Sequence, residues 1–378
     1  MRTVDAAGLG IGDDYPPRIM GVLNVSSESP YEPSVFDDPG EAATYVDEQL
    51  IDQGADIVDV GLESANKRFD VLSAQQELDR LDTAIDTIES VSGDAVFSIE
   101  TRYHEVAEAA LARGFEMVND ICGFADPEMP RVCDDYDVAV AKMASPPDLE
   151  RPGAVETPED IYDALELNGF TDKTILDPAF GGWSEAKTLE DDRETFRRLR
   201  EFRGYGHPIL VSINRKNFLR ELAGRSTEAA LPVSLAATSM AVERGAHVVR
   251  THDVAETRDA ALVGDAFRRD RRRDEQAGVE ELDVTTTRET ERHLDRLGID
   301  PTYATDTTIR VYELTGLDAE GRRQLRVKAS AYGPTVAEST GTDLLLFGTV
   351  AELTRLADGF DGNERVRAAL DSVDESLR

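Results

Sequence analysis

Residues 18–267 alternate without a break between two patterns that no single element can satisfy. Short apolar runs rich in β-branched residues, at 19–25, 57–60, 96–99, 117–119, 138–141, 174–176, 209–213 and 248–250, read as strands buried on both faces. Amphipathic stretches with recognisable helix starts lie between them. Asp38-Pro39 sets a cap before a first-turn proline, Ser73-x-x-Gln76 is a capping box, and Thr157-Pro158-Glu159-Asp160 combines cap, proline and first-turn acids. Eight strands, each followed by a helix, over about 250 residues predict a (β/α)8 TIM barrel. A doubly wound sheet usually has fewer strands, and no GxGxxG follows the first one.

The rhythm stops after the mixed-charge run Arg268-Arg269-Asp270-Arg271-Arg272-Arg273-Asp274. Beyond it the sequence predicts a helix at 288–297, strands at 308–314, 324–331 and 344–347, and a helix from Val350. The expected organisation is therefore a barrel over 1–270 and a small α+β domain over 271–378, with no role for the latter legible from its residues.

Charge narrows the setting. The 378 residues include 76 Asp and Glu against 41 Lys and Arg, a net charge of −35, and only six of the 41 are Lys. A surface this acidic repels itself unless salt screens it; near 1 M the screening length falls to about 3 Å. The acids are spread through every segment, so we read a salt-adapted, halophilic protein. The same charge argues against nucleic acid or an anionic membrane as partner. Cys122 and Cys133 have neither disulfide-framework nor zinc spacing. No apolar run is long enough to span a bilayer, and residues 1–17 lack a signal core, so the expected location is cytoplasmic.

In a β/α barrel the chemistry sits just past the C-terminal ends of the strands. Those positions carry Asn24, Glu63-Ser64, Glu100, Asn119-Asp120, Lys142, Asp177, Asn214-Arg215-Lys216 and Arg250-Thr251-His252. An Asp or Asn ending a strand also serves as a helix cap, so each alone says little. Together they describe a polar rim. Arg215, Lys216, Arg250 and His252 place a cationic cluster on the last two strands, which suits a phosphate-like group. Glu100, Asn119 and Asp177 offer acceptors and an amide, which suits a flat heterocycle bearing several N–H donors.

Six motifs in order, Met20-Gly21-Val22-Leu23-Asn24-Val25-Ser26, Ser98-Ile99-Glu100-Thr101, Asn119-Asp120-Ile121-Cys122-Gly123, Leu176-Asp177-Pro178, Arg215-Lys216-Asn217-Phe218 and Arg250-Thr251-His252-Asp253-Val254-Ala255-Glu256-Thr257, resemble dihydropteroate synthase from about residue 18 to about 266. The resemblance implies a transferase of folate biosynthesis. It joins 6-hydroxymethyl-7,8-dihydropterin diphosphate to 4-aminobenzoate or a related arylamine, forming a C–N bond and releasing diphosphate. It further implies a Mg²⁺ ion held by Asn24 and a pterin ring bound by Glu100, Asn119, Asp177 and Lys216. Ser64, Lys67, Arg215, Arg250 and His252 would serve the diphosphate and arylamine, with Lys216, Arg250 and His252 carrying catalysis. The family also implies a homodimer.

The departures fall mostly in loops. Glu100 stands where the family has Asp, Ala65 and Asn66 replace the Thr and Arg of the second loop, Lys142 takes the fifth-strand His position, and the first loop reads Ser26-Ser27-Glu28-Ser29-Pro30. Lys67 or Arg68 is positioned to replace the lost cation. Two other functions fit the barrel. A pterin-dependent methyltransferase would not need Arg215-Lys216 or Arg250-x-His252, and a non-catalytic pterin-binding paralogue would account for the altered loops. Trp183 in the sixth-strand loop suits either a ligand stack or packing, and His104, His207, His247 and His293 read as packing or surface residues.

Overall fold

The computed structural model describes residues 1–25, 35–36, 38–63, 71–182, 184–274, 276–338 and 343–377. The chain divides into two compact units, Met1–Glu280 and Glu281–Arg378.

The first unit begins with an antiparallel hairpin, β1 (Val4–Ala6) and β2 (Leu9–Ile11), turning through Ala7 and Gly8, which both have positive φ (50° and 91°). Eight parallel strands follow: β3 (Arg18–Asn24), β4 (Ile57–Gly61), β5 (Val96–Thr101), β6 (Met117–Asp120), β7 (Ala139–Met143), β8 (Thr174–Asp177), β9 (Leu210–Val211) and β10 (Val248–Thr251). They pair in the order β8-β7-β6-β5-β4-β3-β10-β9. The parallel bridge Leu176↔Ile209 joins the two ends, so the sheet closes on itself as a TIM barrel.

Strand periodicity sorts the side chains. Ile19, Val58, Val60, Ile99, Val118, Val140, Leu176, Val211 and Val249 point outward into the layer shared with the helices. Met20, Ile57, Val96, Met117, Ala139, Ala141, Ile175, Leu210 and Val248 point inward and pack with Val4, Ala6 and Ile11 of the hairpin, which plugs the base. Because successive residues face opposite sides, the inward set continues upward as Asn24, Asp59, Glu100, Asn119, Met143, Asp177, Ser212, Arg250 and His252.

Below the plug, Asp13 is the hub of a buried ion cluster. It lies 2.8 Å from Arg203, 3.1 Å from His247 Nε2 and 3.2 Å from Arg271. His247 Nδ1 accepts the Ile209 amide (3.0 Å), so its Nε2 carries the proton and donates to Asp13. Burial pushes the Asp13 carboxyl up. The hydrogen bond from His247 and the charge of Arg203 outweigh burial and hold it well below the usual carboxylate range. Asp13→Ala should cost roughly 3 kcal/mol, a fall in Tm of about 6–12 °C. Because the folded value is depressed, this stabilisation is full at neutral pH and is lost as pH falls below 3.8, the ordinary value. Thermal melts of both proteins from pH 7 to pH 3 should show the gap closing in acid.

The mixed-charge run at which the strand–helix rhythm stops belongs to this unit. Arg271 pairs with Asp13, Arg273 with Asp14, and the N-terminal ammonium with Glu280 at 2.5 Å. A short pairing of β11 (Arg273–Asp274) with β12 (Val279–Glu280) follows, so the boundary falls at 280 where 270 was expected.

The second unit carries an antiparallel sheet, β13 (Ile309–Leu314), β14 (Thr335–Glu338) and β15 (Leu344–Thr349), in the order β13-β15-β14. Its core joins Leu314, Leu344 and Leu346 to Leu325, Leu353, Leu356, Val366 and Leu370 of its helices. The strand expected at 324–331 is instead part of the helix Ala319–Tyr332, capped by Asp318. Leu325, Val327 and Ala329 resemble a period of two, but burial follows Gly321, Leu325 and Ala329, the helical spacing, while Val327 is 60% exposed. The strand Thr335–Glu338 went unrecognised.

Candidate active site

Six of the inward residues at the top of the barrel line one cavity of about 170 Å³, while Asn24, Asp59 and His252 stand outside its lining. Glu100, Asn119, Asp177, Lys216 and Arg250 share its wall with Glu63, Arg102 and Ser212, and Ile121, Met143, Pro152 and Phe180 supply apolar surface. Polar groups converging across from an apolar wall suit a polar small molecule with a flat apolar face.

Arg250 organises the floor. Its Nε donates to Asp59 Oδ2 at 2.7 Å and its Nη2 to Glu100 Oε2 at 2.6 Å. Asn119 Nδ2 donates to the same Asp59 oxygen at 2.9 Å. Asp59 is fully buried. Burial pushes the Glu100 carboxyl up, against the pull of Arg250. Asn24 Oδ1 and Glu100 Oε1 both approach Gly61, 3.3 and 3.5 Å from where a Cβ would stand. A side chain at 61 would intrude between these two oxygens.

Across the cavity, Asp177 accepts the Ala179 amide at 2.8 Å, which folds the chain back into the turn at 179–182. Ala179 itself sits at φ 56°, a conformation that costs an L-residue roughly 1–2 kcal/mol. Lys187 ties the turn down, donating to the Ala179 carbonyl (2.9 Å) and pairing with Asp192 (3.1 Å). Lys216 lies against Gly181. Burial lowers the affinity of its ammonium for the proton, opposed by Asp177 and Asp192, and it makes no ion pair among the described residues. Burial raises the Asp177 carboxyl, against backbone and Lys216 stabilisation.

Other expected members of the rim behave differently. Arg215 has φ 53°, and its guanidinium is committed: Nε and Nη2 grip Asp253 at 2.8 Å each, while Nη1 donates to the Thr227 and Glu228 carbonyls. It braces the loop after β9 instead of lining the cavity. Burial, reinforced by Arg250, takes His252 down to about 3, so its imidazole is neutral at pH 7. The four-cation cluster expected on the last two strands thus reduces to Lys216 and Arg250 in the cavity. Lys142 has outward parity. It is fully buried, donates to the carbonyls of Leu165 (2.9 Å), Leu167 (2.6 Å) and Gly169 (2.7 Å), and so caps the C-terminal end of the helix Pro158–Glu166. Ser64, Lys67, Arg68 and Trp183 lie outside the described residues.

Three residues escape the sequence reading: Glu63 and Arg102, which line the cavity, and Asp59, which lies beneath it. Glu63 was noticed only as a strand-end acid, although it pairs with Arg102 and accepts the Leu72 amide at 2.9 Å. Arg102, whose side chain is wholly buried, also donates to the Leu149 carbonyl at 2.7 Å. Asp59 had a usable signal, a carboxylate at an inward position of an otherwise apolar strand, Ile57-Val58-Asp59-Val60. Away from the cavity, His104, Glu105 and Asp126 bring ligand-type atoms within 4.8 Å of one another. Asp126 accepts both the backbone amide and Nδ1 of His104, an arrangement that opens the helix His104–Leu111.

Residues 20–252 match the family model described as "Pterin binding enzyme". The chain is 31% identical over 262 residues to a probable bifunctional folylpolyglutamate synthase/dihydropteroate synthase of Halobacterium salinarum, covering 66% of this chain and 31% of that one. A Haloferax volcanii relative of the same description is 34% identical over 281 residues, 32% of its length. The chain thus spans about a third of these archaeal relatives. The dihydropteroate synthase of Bacillus subtilis is 30% identical over 255 residues, 66% of this chain and 88% of that one. Among solved structures, dihydropteroate synthase from Clostridium difficile, crystallised with pteroic acid, superposes with a TM-score of 0.59 at 30% identity, over 68% of this chain and 99% of that one. The Thermus thermophilus synthase in complex with 4-aminobenzoate gives 0.58 at 29%, over 70% of this chain and all of the other.

Proposed function

The chain belongs to the pterin-binding enzyme family, and from that premise we propose that it is a dihydropteroate synthase, joining 6-hydroxymethyl-7,8-dihydropterin diphosphate to an arylamine of the 4-aminobenzoate type. The observation that carries the reading is the cavity that gathers Glu100, Asn119, Asp177, Lys216 and Arg250 on one floor. Carboxylate and amide acceptors answer the ring N–H donors of a pterin, and Lys216 offers a donor to ring oxygen or nitrogen. Arg250 faces the anionic end, and His252, neutral before substrate arrives, adds a polar contact beside it.

In the reaction the bond between the pterin methylene and the diphosphate oxygen breaks, and the leaving diphosphate takes the electron pair. The arylamine nitrogen then forms the new C–N bond and releases its proton to solvent. The protein's contribution is to hold the two partners in line and to stabilise charge on the departing diphosphate through Arg250 and Lys216. The hard oxygens of Asn24 and Glu100 above side-chain-free Gly61 suit Mg²⁺. Asn24 would hold the ion, which when bound neutralises the diphosphate as leaving group. Met240, Leu262, Val263 and Phe267, exposed on the neighbouring helices Leu231–Glu243 and Val254–Ala266 and just past the latter, support a homodimer.

The test is diphosphate release from the dihydropterin diphosphate and 4-aminobenzoate in multimolar KCl with Mg²⁺. Turnover supports the synthase; pterin binding without release would replace it with a binding-only paralogue. The salt-adapted setting we propose has its own expected result. Dilution from 2 M to 10 mM KCl lengthens the screening distance more than about tenfold, toward about 30 Å, and leaves 35 excess negative charges to repel one another. Helical circular dichroism should collapse on dilution and return when salt is restored; an unchanged spectrum would remove the halophilic assignment.

A further inference from the structure

Asp59 lies beneath the cavity and not in its lining, yet it touches the two residues that read opposite ends of the proposed substrate. One oxygen, Oδ2, accepts from Asn119 Nδ2 at 2.9 Å and from Arg250 Nε at 2.7 Å. The other, Oδ1, is buried and has no partner among the described residues. The carboxylate is fully buried on β4, paired in register with Val22 of β3 and Ser98 of β5.

A carboxylate can only accept. Asn119 must therefore turn its NH₂ toward Asp59, and its carbonyl oxygen is left for the cavity. The same constraint fixes the side edge of Arg250, Nε to Asp59 and Nη2 to Glu100, and leaves Nη1 without a described partner. We propose that Asp59 is a positioning residue that sets the polarity of Asn119 toward the heterocycle, while the same oxygen tempers the charge that Arg250 presents to the diphosphate. The inference rests on the pterin diphosphate reading above. It adds a residue that neither the strand-end pattern nor the cavity lining identifies.

The separation of the two roles makes it testable. Asp59→Asn is nearly isosteric and removes the charge. If its oxygen takes the Oδ2 place, both bonds persist but lose their charge assistance; if its NH₂ does, Asn119 is driven to flip. In either case the affinity for 6-hydroxymethylpterin, a neutral probe, should fall about tenfold. Affinity for inorganic diphosphate with Mg²⁺ should hold or tighten, because Arg250 loses one of its two counter-charges. The double exchange Asp59→Asn with Asn119→Asp rebuilds the bond with donor and acceptor interchanged and keeps an acceptor turned to the cavity. It should recover most of the lost pterin affinity, and it provides a second protein should the single variant fail to fold. Equal losses for both probes, an unchanged pterin affinity, or a double variant no better than the single one would reduce Asp59 to a packing residue. Failure of the unaltered protein to bind 6-hydroxymethylpterin would instead sink the functional reading itself.

Discussion

An Arg250→Ala variant should be inactive and markedly less stable, and the stability loss should shrink as the pH is lowered. Arg250 is the common partner of Asp59 and Glu100, whose side chains are 0% and 13% exposed. Its removal strands both charges where water does not reach them, a change that costs about 3–5 kcal/mol. Turnover should fall by roughly a thousandfold, because the cation facing the leaving diphosphate is gone. Burial already pushes the Glu100 carboxyl up, and Arg250 is the main force holding it down. Without that cation its folded value rises further above the unfolded one. A carboxyl raised by folding costs stability above its unfolded pKa and ceases to cost as the pH falls toward that value. Melting temperatures at pH 8 and pH 5 should therefore differ more from the parent at pH 8. A constant gap would mean that Glu100 is not the group left uncompensated.

Lys216→Ala should separate binding from folding. The ammonium lines the cavity, has no ion pair among the described residues, and is held by burial with a weakened grip on its proton. Its charge beside the buried Asp177 offsets the cost of burying the ammonium itself, so the melting temperature should change little. Affinity for a pterin should drop about a hundredfold, the loss expected when a charged hydrogen bond to a ligand is removed. Asp177→Ala should match that loss but also destabilise the chain, since Asp177 holds the Ala179 amide and with it the left-handed residue of the turn. If both variants bind pterin as the parent does, the floor of this cavity is not a pterin site.

The barrel was legible because its evidence is repeated: eight inward-outward strands, each announced by its own apolar run. Local signals were also enough to bring Glu100, Asn119, Asp177 and Arg250 together, since they end strands with the inward parity of the hydrophobic residues beneath them, while Lys216 joins them from beyond β9, at the start of the helix Asn217–Ala223. The errors have the same origin. Lys142 and Arg215 were grouped with the rim by position along the chain, yet Lys142 falls on the outward side of β7 and Arg215 lies beyond β9 in a backbone pose that turns it to Asp253. Counting two residues at a time from Ala139 would have excluded Lys142 beforehand. Asp59 could have been found the same way, from Ile57. Arg102 could not, because its meaning comes from Glu63 and Leu149, two distant segments that only the closed barrel brings to it.

The salt bridge between the first residue and Glu280 has a consequence for where this unit begins to open. It ties the start and the end of the unit together on the plugged side, where Arg2 also bonds the carbonyl of Gly206 ahead of β9. Both ends of the barrel unit are thereby held on the face opposite the cavity, so fraying that starts at either end starts away from the site. A contact of this kind acts as a staple on the plug: opening the base of the barrel must break it first, well before the cavity is disturbed.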